Sequence, residues 1–377
     1  LLFEGIYSMK PFSLFLAIAA LLTAISTLAQ AASSAENKPA HWWNAAYLTQ
    51  PLNSPDAHKL PLISVNGNRF VDPAGKPILF LGVNIADPDK IESQGHWNRE
   101  FFVKVKATGA TIVRIPVHPA AWRSRGVANY LALLDQAVQW STELGLYVDI
   151  DWHSIGNLKQ GLFQDPMYET SLPETYNFWR VVASHFRGHH TVAFFELFNE
   201  PTVFNGQLGT TSWEEWREIN EQMITIIRAN GSESIPLVAG FDWAYDLTPL
   251  RISPIRAEHI GYVTHPYPFK RMPPWTPKWE EDFGFAADRY PIVATELGFE
   301  SDAKTDQAAR ELNRKYGEEI VNYFEQRGIS WIVWCFDPEW GPRMITSWDA
   351  DQLTDGGKFF TNQMRAKAAP ASPPAGK

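Results

Sequence analysis

The 377-residue sequence holds a single cysteine, Cys335, so no disulfide can form within the chain. A chain of this length can bury a core large enough to do without one, and the absence is compatible with an oxidising compartment. Cys335 follows the apolar run Trp331-Ile332-Val333-Trp334 and reads as a packing residue rather than a nucleophile. An excess of basic charge is also lacking. The formal net charge is -9, and polyanion binding needs a basic surface, so nucleic acid is excluded as a partner. No apolar run leads into a glycine-rich phosphate loop, which argues against a nucleotide-binding open sheet. No ligand spacing completes a metal site. His189-His190 reads as surface loop, and neither metal nor cofactor is expected.

Long hydrophobic runs are missing except near the start. Met9 and Lys10 open a segment whose apolar stretch runs from Phe12 to Leu28, and Ala29-Gln30-Ala31 fits a small-x-small cleavage pattern. The stretch is short for a membrane span. The expectation is a signal peptide starting near Met9, a mature chain from near Ala32, and secretion without membrane association after cleavage. Upstream residues and signal peptide would fill 1–31. An irregular leader would follow over 32–60, then one folded domain over 61–365 and a disordered Ala- and Pro-rich tail over 366–377.

Aromatic residues, by contrast, are plentiful. The 16 Trp suit either a large aromatic core or a groove that stacks flat rings such as sugars. After the leader, Leu62–Val65 and Arg69–Val71 flank Asn66-Gly67-Asn68, a hairpin signal. Short apolar runs then alternate with amphipathic stretches. The runs are Ile78–Val83, Thr111–Ile115, Leu146–Ile150, Val192–Phe198, Pro236–Ala239, Gly261–Thr264, Pro291–Ala294 and Ile329–Val333. The helical stretches include Asn129–Leu144, Pro173–Phe186, Ser212–Ala229 and Asp306–Arg327. Strands apolar on both faces, spaced at βα-unit intervals, predict a single (β/α)8 TIM barrel with a short N-terminal β-hairpin.

In such a barrel the functional groups stand at the C-terminal ends of strands. Polar and aromatic residues follow the apolar runs here: Arg114 and His118, His153, Asn199-Glu200-Pro201, His265 and Tyr267, Thr295-Glu296, and Trp334. Glu200 and Glu296 form a pair on different strands. Glycosidic hydrolysis needs two carboxyls, one to protonate the leaving oxygen and one ionised. Either glutamate alone could equally be part of a structural ion pair.

Phe195-Glu196-Leu197-Phe198-Asn199-Glu200-Pro201 resembles the acid/base motif of glycoside hydrolase family 5, within the clan of (β/α)8 retaining glycosidases. Gly82-Val83-Asn84, Arg114-Ile115-Pro116-Val117 with Trp122, His153, His265 with Tyr267, Thr295-Glu296-Leu297-Gly298 and Trp334 are similar to the family's other strand ends, in order. The resemblance implies Glu200 as general acid/base and Glu296 as nucleophile, held ionised by Arg114 and the Tyr267 hydroxyl. It implies Asn199 as the ligand of the sugar 2-hydroxyl, and His153 and His265 as groups orienting sugar hydroxyls or the acid/base. Trp334 would be the platform under the sugar, followed by a cis peptide.

Other residues have weaker claims. Glu196 is expected inside the barrel as a structural group and Glu300 in a loop. Asp149 and Asp151 are as readily structural as functional. His118 is a candidate groove residue, and Trp243, Trp275 and Trp340 are candidate aromatic subsites. Together these point to a secreted, monomeric, retaining endo-β-1,4-glucanase (cellulase) acting on β-linked polysaccharide or oligosaccharide by double displacement. Its carboxyl separation should be roughly 5–5.5 Å. An endo-β-1,4-mannanase or another β-glycanase of the family is the alternative on substrate. A non-catalytic carbohydrate-binding barrel is the alternative from another class, and would keep the aromatics while losing a carboxylate.

Overall fold

The computed structural model describes residues 42–44, 49–202, 208–299, 306–348 and 352–368. The expected signal peptide, Glu300 and the tail beyond Ala368 lie outside them. The chain divides into two units, Leu1–Ala45 and Ala46–Lys377. Of the first, only the 3-10 turn Trp42–Asn44 is described. No helix among the described residues is long and apolar enough to cross a membrane.

Eight parallel strands close into a barrel in sequential order. They are β1 (Leu81–Asn84), β2 (Ile112–Val117), β3 (Tyr147–Trp152), β4 (Val192–Glu196), β5 (Ile235–Ala239), β6 (Gly261–Val263), β7 (Ile292–Ala294) and β8 (Ser330–Val333). Every residue of these strands but Tyr147 is buried, because helices cover the outside and side chains fill the inside. The β1–β2 approach requires glycine at 82, where a Cβ would stand 2.3 Å from the Ile112 carbonyl oxygen.

The helical pattern holds to within a few residues. Helices α1 (Arg99–Ala107), α2 (Val127–Leu144), α3 (Leu172–His185), α4 (Trp213–Ala229), α5 (Thr276–Asp282), α6 (Gln307–Arg327) and α7 (Asp355–Ala368) follow the chain. Ser212 and Glu215 form a reciprocal capping box that starts α4, and Asp306 caps α6 through the Ala309 N–H. Such caps satisfy N–H groups that a helix leaves without partners.

Four expectations are corrected. Ile78 belongs not to β1 but to the third strand of the hairpin sheet, Ser64–Asn66, Arg69–Val71 and Pro77–Ile78. Phe70 of that sheet packs on Phe194 at 4.8 Å and on Phe80 at 6.0 Å, so the hairpin caps the core cluster formed by the strand starts. The fourth strand stops at Glu196 rather than Phe198. The tail is helical through Ala368, because α7 continues past residue 366. His189 is 4% exposed rather than on a surface loop. The leader lies against this segment: His190 N donates to the Ala57 carbonyl at 2.9 Å, and His58 stacks on His190 at 4.3 Å.

Candidate active site

The strand ends bring the expected residues into one cleft of about 680 Å3, lined by His153, Asn199, Glu200, Tyr267, Glu296 and Trp334 among others. Glu200 is not an extension of β4. It sits with Pro201 in a two-residue strand that pairs in parallel with Ile155–Asn157, and its N–H donates to the Ser154 carbonyl at 3.1 Å. The acid/base candidate is thus held by backbone from two loops, which sets its direction independently of barrel parity.

Arg114 organises the floor. It is fully buried and grips Glu196 with Nε and Nη2, both at 2.8 Å. Nη1 donates to Asn84 Oδ1 at 2.8 Å and Glu296 Oε1 at 2.9 Å. Nη2 also donates to Asn199 Oδ1 at 2.7 Å and lies 3.0 Å from Asp151 Oδ2. Burial opposes its charge, but Asp151, Glu196 and Glu296 outweigh that and hold its pKa well above the usual value. Glu196 is therefore a structural group, as expected. Asp151 carries a second load, accepting from or donating to His153 Nδ1 at 2.6 Å. Burial pushes the Asp149 and Asp151 carboxyls well up.

The Arg114 contact also settles which way Asn199 faces. Its oxygen is taken by the guanidinium, so its amide nitrogen is left buried without a partner beside the two glutamates. A buried donor without a partner is costly, unless a ligand hydroxyl accepts from it.

Glu200, His265 and Glu296 present atoms that all lie within 4.8 Å of one another. His265 Nδ1 is 2.9 Å from Glu200 Oε1 and 3.7 Å from Glu296 Oε2, while Nε2 lies 2.9 Å from Thr295 Oγ1. Tyr267 donates its hydroxyl to Glu296 Oε2 at 2.8 Å. Burial disfavours the His265 imidazolium, but Glu296, Glu196 and Glu200 push its pKa up to about 9. These three residues are the only trio of potential metal ligands among the described residues, and a protonated imidazole offers protons rather than lone pairs.

The Glu296 carboxyl lies above its ordinary pKa. Burial raises it, His265 and Arg114 lower it, Glu200 raises it and the Tyr267 hydroxyl lowers it. The contacts expected to hold Glu296 ionised are present, yet burial outweighs them. Arg114 divides one positive charge among Glu296, Glu196 and Asp151, so only part of it acts on Glu296.

Aromatic rings line the cleft unequally. Trp334 lies parallel to His153 at 5.4 Å and to Trp340 at 6.0 Å, with its indole N–H donated to the Gly341 carbonyl. The Trp334-Cys335 bond is cis, as the resemblance implied. Trp340 and His118 line an adjoining cavity with Asp87 and Lys90. Trp243 faces the main cleft. Trp275 does not: it is 1% exposed and packed between Trp279 and Tyr316, so the subsite expectation for it is corrected to a core role.

Sequence reasoning missed Gln164, Tyr168, Asp242, Phe269 and Lys270, which also line the cleft. Their one sequence signal is a place in loops just after strand ends. Phe269 is 75% exposed and stacks on Tyr267 at 5.4 Å.

The sequence model of one family, Cellulase (glycosyl hydrolase family 5), matches residues 71–339. A β-glucanase from Saccharophagus degradans is 41% identical and superimposes with a TM-score of 0.81, over 87% of this chain and 99% of that one. Its structure is also solved in complex with cellotetraose. Endoglucanase A of Butyrivibrio fibrisolvens is 23% identical over 317 residues, 81% of this chain and 66% of its own length. Endoglucanase E-5 of Thermobifida fusca is 22% identical over 328 residues, covering 84% and 64%. The chain thus spans just under two thirds of the length of these curated relatives.

Proposed function

The chain belongs to glycosyl hydrolase family 5, and on that footing we propose that it is a secreted, retaining endo-β-1,4-glucanase. One observation carries the mechanism: a carboxyl oxygen of Glu200 and one of Glu296 lie within 4.8 Å of each other, beside the unpartnered amide of Asn199. Inverting enzymes hold their carboxyls roughly 6.5–9.5 Å apart to admit water between base and sugar, whereas retaining ones stand at about 5–5.5 Å. The short spacing supports double displacement.

Glu296 then attacks the anomeric carbon while Glu200 protonates the leaving oxygen. A glycosyl–Glu296 ester forms as the glycosidic bond breaks. Glu200, now a carboxylate, takes a proton from water as that water attacks the anomeric carbon and frees Glu296. His265, hydrogen-bonded through Nδ1 to Glu200 and 3.7 Å from Glu296, steadies negative charge as it moves from one carboxyl to the other. Asn199 donates to the 2-hydroxyl, and Trp334 supports the sugar ring.

The β-1,4-glucan preference draws support from the Saccharophagus degradans β-glucanase and its cellotetraose complex. Secretion rests on the Met9–Ala31 segment. Reducing-end release should be greatest on carboxymethylcellulose among carboxymethylcellulose, mannan, xylan and laminarin. Greater release on mannan would move the assignment to a mannanase, and none on any polymer, with binding retained, to a carbohydrate-binding barrel. For the mechanism, Glu296→Ala with azide should yield a glycosyl azide of inverted configuration. A rescued product of retained configuration would count against Glu296 as nucleophile.

A further inference from the structure

The segment after β5 has an unusual backbone. Asp242, Trp243 and Ala244 take φ values of 56°, 55° and 57°, and the first two have ψ of 50° and 58°. This is a left-handed turn of three consecutive non-glycine residues. L-residues avoid that region because Cβ crowds the following carbonyl oxygen. Such strain persists where surroundings hold it, and it gathers at functional sites.

Lys270, on the loop after β6, holds both the backbone and the carboxylate of Asp242, whose Oδ2 also lies 3.6 Å from Arg271 Nη1. The Lys270 Nζ donates to the Asp242 carbonyl at 2.6 Å, lies 3.4 Å from Asp242 Oδ1, and stands 5.0 Å from the Trp243 ring centroid. The side chain is only 11% exposed. Trp243 is fixed at its other end by an indole N–H bond to Gln164 Oε1 at 2.9 Å. The turn closes on His265, whose N–H donates to the Ala244 carbonyl at 3.0 Å.

Strand order tells which part of a substrate meets Trp243. Trp334 and Trp340 follow β8, and the cavity beside them is walled by residues after β1 and β2. Trp243 and Lys270 come from the loops after β5 and β6 across the mouth, next to the segment after β4 that carries Glu200. The group that protonates the leaving oxygen must adjoin the leaving sugar. Trp243 therefore faces the leaving side.

We infer that Lys270 is a positioning residue for the leaving part of the substrate, holding the left-handed turn so that the Trp243 ring stands in the cleft beyond Glu200. This rests on the glycosidase reading above. Lys270 touches no reacting atom, and its effect passes through Trp243.

The test compares cellotetraose, which places sugars on the leaving side, with β-cellobiosyl fluoride, whose leaving group is one atom. Lys270→Met and Trp243→Ala should each lower kcat/KM on cellotetraose about tenfold, chiefly through KM, and leave the fluoride within about twofold. The double variant should be no worse than Trp243→Ala, since residues acting through one contact are not additive. Equal losses of Lys270→Met on both substrates, full additivity with Trp243→Ala, or no loss on cellotetraose would each overturn the inference. Should Lys270→Met fail to fold, Asp242→Asn tolerates the left-handed turn while losing the carboxylate. It should show a smaller loss confined to cellotetraose, and a loss on both substrates would overturn the inference. If the wild-type protein cleaves neither substrate, the glucanase reading itself falls.

Discussion

Tyr267→Phe removes one oxygen atom from the site and little else. The ring keeps its stacking on Phe269, while the 2.8 Å hydroxyl donation to Glu296 Oε2 is lost. A hydrogen bond to a charged group contributes about 1.5–3 kcal/mol, and each 1.4 kcal/mol is tenfold, so kcat/KM should fall roughly tenfold to a hundredfold. The direction of a pH effect follows as well. The Tyr267 bond pulls the Glu296 pKa down against burial, which already holds it above the ordinary glutamate value. Removing the bond raises it further. In the proposed mechanism Glu296 attacks as the carboxylate, so the acid limb of the kcat/KM profile should move to higher pH. The assay is initial-rate kinetics on a soluble cello-oligosaccharide across the acid range, wild type against variant. An acid limb that stays in place or moves to lower pH would refute the assignment of Tyr267 to the ionised nucleophile. So would a kcat/KM within about threefold of wild type.

Two further outcomes probe the frame around that pair. Arg114→Met strands Glu196, Asp151 and Glu296 without their shared cation, at a cost of about 3–5 kcal/mol, a large part of an ordinary domain's stability. Carboxyls whose folded-state pKa is raised, as at Asp149 and Asp151, lend stability below their unfolded values and lose it as pH rises through the folded ones. Urea denaturation should therefore find the variant more destabilised at pH 8 than at pH 5, and the reverse order would contradict this account of the floor. Trp275→Ala should cost about 3–5 kcal/mol in the same measurement through the cavity it leaves. KM should stay unchanged, whereas a raised KM would restore Trp275 to the substrate groove.

Much of this protein is legible in its sequence. Eight apolar runs located the barrel strands, because burial on both faces writes itself into consecutive apolar residues such as Val192–Phe195. The short distance from a strand end to Glu200, Glu296, Arg114 or Tyr267 implied a shared mouth, since a closed parallel barrel points all those ends one way. Helix starts were readable from Ser212 and Asp306, whose caps are local bonds.

Other features depended on contacts distant in sequence. Nothing near Trp275 distinguishes it from Trp243. One is buried against Tyr316 of α6 and the other is turned into the cleft by Lys270 and Gln164. The balance at Glu296 required counting every acid that shares Arg114. The left-handed turn at Asp242–Ala244 is written in no residue type, since none of the three is glycine. The sequence by itself determined the barrel, because that follows from periodicity and chain order, and its resemblance to the family pointed to Glu200 and Glu296 as the proposed pair. Only the tertiary structure decided how charge is divided on the floor and which rings face the substrate, because both are set by partners brought together from separate strands.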